Sequence, residues 1–174
     1  HNWLRKKNRL YEDQLNHLRK YKVTFQNQLS ICFPGYLDLF KDGYSDIPMT
    51  ILKKYPHPDL LKNKKAETVA RYLEKNTCHT HKVSLEYALK IIEFAKKTYP
   101  GCEKDDVEVE IFKILLDKVI ETQRECEKTL NEMITVASTL EEYRYISSID
   151  GIGPNLAARI IAEIGDIEEF KSRE

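Results

Sequence analysis

Trp3 to Cys32 and Asp105 to Leu140 each run without proline or glycine and carry an apolar stripe at helical spacing, and no other feature restricts the fold as much. With no residue to break the hydrogen-bond ladder or loosen the backbone, each can run as one uninterrupted helix. In the second stretch Phe112, Leu115, Val119, Thr122, Cys126, Thr129, Met133, Val136 and Leu140 alternate by threes and fours. Leu116, Ile120, Leu130, Ile134 and Ala137 widen that stripe. The first stretch repeats the pattern with Tyr11, Leu15, Leu18, Phe25, Leu29 and Cys32, with Lys22 filling one slot. At about 1.5 Å per residue the second helix would run roughly 50 Å. A long helix with a heptad seam needs a partner, either segment 3–32 folded back or the same helix of a second chain. For the second case the oligomerisation positions are Leu115, Val119, Cys126, Met133 and Leu140.

Punctuation falls between these helices. Phe33-Pro34-Gly35 ends the first, and Asp42-Gly43 makes a turn. Ser45 offers a cap before Met49-Thr50-Ile51-Leu52, and Tyr55-Pro56-His57-Pro58 breaks that piece before another short helix from Asp59. Residues 66–74 read as a helix on Val69, Ala70 and Leu73. Ser84 reads as the N-cap of a further one carrying Leu85, Ala88, Ile91, Ile92 and Ala95, closed by Pro100-Gly101. No segment shows strand alternation. The expected fold is all-α: a basic amphipathic helix (1–32), an insert of short helices (33–104), a long heptad helix of coiled-coil type (105–142) and a helical hairpin (143–174).

The 174 residues are 32% charged, yet the formal net charge is zero. The balance is uneven along the chain. Residues 1–22 carry Arg5, Lys6, Lys7, Arg9, Arg19, Lys20 and Lys22 against Glu12 and Asp13, and residues 53–97 are also strongly basic, whereas 98–142 are acidic. Basic blocks in a balanced protein suit a polyanion, and the seven cations of the first helix are candidates for nucleic-acid backbone contacts. Solvated helix faces would give the same pattern.

No apolar run reaches the length of a membrane span and no signal peptide opens the chain, so the expected setting is cytoplasmic, away from membranes. Cys32, Cys78, Cys102 and Cys126 are widely spaced and read as reduced thiols. Cys78-His79-Thr80-His81 lacks the further ligands a zinc site requires, so no metal site is expected in this stretch. The acids Glu103, Asp105, Asp106, Glu108 and Glu110 sit where the dipole at the start of a helix favours negative charge.

The most specific segment runs from Ile146 to Ile164. Gly151 and Gly153 permit a tight hairpin and close backbone approach, and Pro154 suits the first turn of a helix. Free amides at Gly151, Gly153 and Asn155 would face outward beside the positive end of the helix dipole, a corner suited to phosphate. Ala157 and Ala158 allow close helix packing, with Ile149, Ile152, Ile160, Ile161 and Ile164 as the apolar contact and Gly165 as terminator. The pattern resembles the helix-hairpin-helix, whose backbone grips DNA phosphates without reading sequence. The candidate DNA-binding residues are therefore Gly151, Ile152, Gly153, Pro154, Asn155 and Arg159.

The run Asp150-Gly151-Ile152-Gly153-Pro154-Asn155-Leu156-Ala157-Ala158-Arg159-Ile160-Ile161-Ala162-Glu163-Ile164-Gly165-Asp166-Ile167 resembles the opening of the C-terminal domain of insertion-sequence "one-ten" family transposases. The basic heptad helix, Phe33-Pro34-Gly35-Tyr36 and Ile51-Leu52-Lys53-Lys54-Tyr55-Pro56-His57-Pro58 are similar to the linker of these enzymes. The resemblance implies an RNA-guided DNA recombinase that mobilises an insertion sequence. It further implies a RuvC-like domain with a divalent-metal carboxylate set before Trp3, and a nucleophilic serine beyond Glu174. The implied partners are DNA, a structured RNA and further copies of the chain, as a homodimer or higher oligomer. By this reading the chain, which starts in helical pattern without an initiator methionine, is an internal piece with no catalytic residue and no cofactor of its own. Ser147 and Ser148 precede the hairpin and are expected to be polar groups at a helix end. Two other readings stay open: a non-catalytic helix-hairpin-helix DNA-binding module, and a helical scaffold that recruits a protein partner.

Overall fold

The structure, a computed structural model, describes residues 1–165. Among them the regular elements are helical throughout, as the proline-free stretches predict. In chain order they are α1 (Asn2–Cys32), a 3-10 turn (Tyr36–Leu39), α2 (Asp46–Lys54), α3 (Pro58–Leu61), α4 (Ala66–Asn76), α5 (His81–Lys97), α6 (Val107–Ala137), α7 (Glu141–Ser147) and α8 (Pro154–Ile164). Two compact units result. One is built from His1–Lys20 and Glu121–Glu174, the other from Tyr21–Ile120, so α1 and α6 each give residues to both.

In the Tyr21–Ile120 unit the end of α1 runs antiparallel to the start of α6. Phe25 and Phe112, both fully buried, stack with ring centroids 5.3 Å apart. One turn further along, the Gln28 amide donates to the Glu108 carbonyl at 3.0 Å and to the Glu108 carboxylate. Leaving α1, the chain buries Phe33 against Tyr36 and against Phe94 of α5. Gly35 makes this turn with φ 75°, a left-handed conformation that a side chain would strain. Tyr36 is fully buried, and its hydroxyl donates to the Pro48 carbonyl at 2.9 Å, which satisfies the one polar atom it takes inside. Desolvation accordingly holds the Tyr36 phenol well above its usual range.

The short helices of this unit follow their punctuation, with one change. The Asp42 carboxylate accepts from the Tyr44 amide at 2.9 Å, forming the predicted turn, and Ser45 stands at the N-cap of α2. The buried His57, between Pro56 and Pro58, accepts from the Asp59 amide through Nδ1 and so caps α3. Its Nε2 donates to the Cys102 carbonyl at 3.0 Å. Helices α4 and α5 pack through Val69, Ala70 and Leu73 against Ala88, Ile91, Ile92 and Ala95. Ser84, however, is not an N-cap. Helix α5 begins at His81 with Thr80 in the capping position, and Ser84 is buried one turn in. Nothing between Thr80 and Ser84 breaks a helix, so the ladder extends back to the earlier hydroxyl residue.

In the other unit Leu4 of α1, Met133 and Ala137 of α6, and Ala158, Ile161 and Ala162 of α8 form the core. Tyr11, Ile134, Leu140, Tyr143 and Ile146 pack around it. The alanines bring α8 close, as their size predicts. Lys7 of α1 reaches Glu132 of α6 at 2.6 Å, so here too the two helices run antiparallel.

The buried stripe of α6 is Val109, Phe112, Leu116, Val119, Thr122, Cys126, Thr129, Met133 and Ala137. It departs from the expected seam twice, at Leu116 in place of Leu115 and Ala137 in place of Val136, each time by one step of four where three was expected. Of the five positions considered for oligomerisation, Val119, Cys126 and Met133 are covered within one chain, and Leu115 and Leu140 are half-buried. Burial of the α6 stripe therefore needs no second copy: the folded-back arrangement already supplies it.

Removing the Phe112 ring leaves a cavity against Phe25, so Phe112→Ala should lower unfolding free energy by about 3–5 kcal/mol. Ile114→Ala, at a position 62% exposed, should stay within about 0.5 kcal/mol. Urea denaturation followed by far-ultraviolet circular dichroism measures both. Similar costs for the two would mean that the α6 faces are wrongly assigned.

Candidate nucleic-acid interface

The segment joining α7 to α8 is a tight turn. The Ile152 amide donates to the Ile149 carbonyl at 3.0 Å, closing a four-residue turn with Gly151 in its third position. Gly151 has φ 87°, and no non-glycine described residue has positive φ, so Asp150 is on the negative side. That combination is a type II turn, which calls for glycine at this position. Gly153 follows as N-cap of α8 with φ −80° and ψ 172°, and Pro154 takes the first helical position. The Ala157 amide closes the first helical bond onto the Gly153 carbonyl at 3.0 Å.

The amides of Asn155 and Leu156 precede that bond and have no acceptor within the helix. Among the described residues, those of Gly151 and Gly153 have no backbone acceptor either. Gly151, Gly153, Pro154 and Asn155 are exposed, with Ile152 half-buried between them. A Cβ added at Gly151 or Gly153 would meet nothing within 4 Å. The two glycines nevertheless differ: Gly151 is required by its φ, whereas the chain's own packing places no such requirement on Gly153.

The apolar contact behind the turn is narrower than the sequence predicts. Ile161 is buried, Ile152 and Ile160 are half-buried, and Ile149 (55%) and Ile164 (40%) are exposed. Tyr143 and Ile146 of α7 complete the contact through the unit's core. The predicted terminator Gly165 does end α8, with φ 71° and the Arg5 guanidinium lying against it.

Arg159 is not turned toward the hairpin. Its guanidinium pairs with Glu12 of α1 and lies 5.6 Å from the centroid of Tyr11. Burial raises the Tyr11 phenol above its usual range while Arg159 acts in the opposite direction. One turn along, the side chain of the buried Asn8 donates to the Glu163 carboxylate at 2.6 Å. These two pairs border a groove of about 470 Å³ between α1 and α8, with Leu156, Ile160 and Ile164 along its α8 wall. Neither pair was legible in the sequence, because more than a hundred residues separate the partners and no local spacing marks them.

The cations of α1 divide by their partners. Lys7 is paired with Glu132, Arg19 donates to Asn16 at 2.7 Å, and Lys22 lies 4.1 Å from the Tyr44 ring centroid. Lys20 also has an interaction. Arg5, Lys6 and Arg9 are exposed without an ion pair among the described residues. The hydroxyls of Ser147 and Ser148 donate to the carbonyls of Arg144 and Tyr145, so both serve as helix-end polar groups. The Asp106 carboxylate accepts from the Glu108 amide at the start of α6, in keeping with the dipole reading of that acidic run. His79 pairs with Asp46, and His81 with Glu67 and Glu74. The described residues hold no group of three side chains suited to a metal ion. No described helix is long and apolar enough to cross a membrane.

A turn of this build, with amides lacking a backbone acceptor ahead of a proline-started helix, has the geometry that suits an anion. The family model of the Transposase IS116/IS110/IS902 family matches residues 143–174, which contain α7, this turn and α8. Residues 143–174 are thus similar to a segment of the transposases of that family, in line with the resemblance of the hairpin. No curated protein and no solved structure matches the chain.

Gly151→Ala forces a side chain into left-handed backbone and should cost about 1–2 kcal/mol. Gly153→Ser keeps an ordinary conformation and adds a capping hydroxyl, so stability should change by no more than about 0.5 kcal/mol. Thermal unfolding compares them. Equal losses would mean that both glycines are demanded by the fold.

Proposed function

We propose that this chain, as part of a transposase, binds the phosphate backbone of DNA through the α7–α8 turn, a helix-hairpin-helix. The observation that carries the reading is Gly153. Neither its backbone angles nor its neighbours require glycine, so close approach of a ligand is the remaining use for the missing side chain. The amides of Gly151, Gly153, Asn155 and Leu156 would donate to phosphate oxygens at the positive end of α8. Arg159 serves to hold α8 on α1 through Glu12, while Arg5, Lys6 and Arg9 supply positive charge on α1 that no ion pair among the described residues engages. A contact made mainly by backbone amides reads no bases, which suits an enzyme segment whose target choice is made elsewhere. No catalytic role falls to Ser147 or Ser148, whose hydroxyls are already engaged with helix-end carbonyls.

Gly153→Asp tests this. Aspartate is a good N-cap, so thermal stability should hold or rise, but its carboxylate would occupy the amides and repel phosphate. Affinity for a short duplex, read by fluorescence anisotropy at low salt, should fall about tenfold or more. Ile114→Asp, which adds the same charge in the other unit, should change it far less. Equal effects of the two substitutions, or none from Gly153→Asp, would rule out the hairpin as the binding site.

A further inference from the structure

The sulfur atoms of Cys32 and Cys102 lie 3.9 Å apart in the Tyr21–Ile120 unit. Cys32 closes α1 and is fully buried, while Cys102 is half-buried in the segment between α5 and α6. The two thiols form a short chain: Cys102 Sγ donates to Cys32 Sγ, and Cys32 Sγ donates to the Glu108 carbonyl at 3.5 Å. Backbone bonds hold them in place. The Gly101 amide donates to the Ile31 carbonyl at 2.8 Å, and the Cys102 carbonyl accepts from His57 Nε2 at 3.0 Å. Residues adjoining both cysteines are thus tied together. A disulfide needs its sulfurs about 2.05 Å apart, so closing the bond requires the two side chains to turn toward each other from their 3.9 Å separation. Cys78 is exposed and Cys126 is buried in the stripe of α6.

We propose that Cys32 and Cys102 are a thiol–disulfide exchange site that takes a low-molecular-weight disulfide, such as oxidised glutathione, and closes into an intramolecular disulfide. In the first step the Cys102 sulfur attacks one sulfur of the reagent. The reagent's S–S bond breaks, and one glutathione leaves with the proton given up by Cys102. In the second step Cys32 attacks the mixed disulfide at the Cys102 sulfur, and the second glutathione leaves with the Cys32 proton. Two protein thiols are oxidised, and one reagent disulfide is reduced to two thiols. Cys102 is the entry point because it reaches solvent. Burial pushes the Cys32 thiol up to about 12 and raises that of Cys102 as well, so both rest protonated and exchange should quicken as pH rises; Cys32 takes the second step because its partner is already in place. The product staples the end of α1 to the lead-in of α6 and closes a long loop, which restricts the unfolded chain.

The test uses the full chain carrying Cys78→Ser, so that the exposed thiol does not compete. It is incubated with oxidised glutathione and read by intact mass, thiol titration and peptide mapping. The expected result is loss of two thiols, a mass lower by two hydrogens, a cross-linked peptide pair containing residues 32 and 102, and a raised unfolding midpoint. Adding Cys32→Ser should stall the reaction as a stable glutathione adduct on Cys102. Unreacted thiols, a lasting adduct on Cys102 with Cys32 intact, or a cross-link involving Cys126 would each overturn the assignment.

Discussion

Antiparallel packing of α1 against α6 is the constraint from which the rest of this structure follows. In one unit it joins Leu4 to the Met133 and Ala137 side of α6, and in the other it stacks Phe25 on Phe112. Each helix alone would expose a long apolar stripe, and helices of this kind gain most of their stability from covering such a face. The shorter elements then find their places on what the pair offers. Phe33 and Tyr36 carry the chain out of α1 into an aromatic group reaching Phe94, and Ala158, Ile161 and Ala162 seat α8 on the core of the other unit.

Polar groups complete this packing and decide where α8 sits. Asn8 is 3% exposed on α1, an uncommon place for an amide, and its side chain donates to Glu163. Glu12, one turn on, takes Arg159. Such an arrangement favours one placement of α8, because sliding it by a turn would part Asn8 from Glu163 and Glu12 from Arg159. The stability gained from the pair is modest, since both side chains reach solvent, and specificity of placement is the larger effect.

This placement also shapes the chemistry of the α7–α8 turn. With Arg159 committed to Glu12 and the exposed Asp150 beside the glycines, what the turn presents for anions is backbone. Amides at a helix start offer fixed geometry without the rotamer entropy of a long cation, at the expense of range. Long-range attraction for a polyanion would come from the exposed cations of α1, with the turn setting contact geometry.

The sequence by itself determined the elements. Apolar spacing by threes and fours over stretches without proline or glycine set both long helices, Pro34-Gly35 ended the first, and Gly151 followed from a turn that only glycine enters without strain. These are local properties, carried by residues next to one another, and so they were legible. The same holds for the roles of Ser147 and Ser148, whose partners lie three residues away. Tertiary structure decided what depends on distant partners. It buried the α6 stripe within one chain, where a heptad stripe specifies an apolar face and leaves its partner unspecified. It turned Arg159 toward Glu12, moved the buried stripe onto Leu116 and Ala137, and brought Cys32 beside Cys102. Each of these depends on which residues meet after the helices pack, and periodicity carries no record of that.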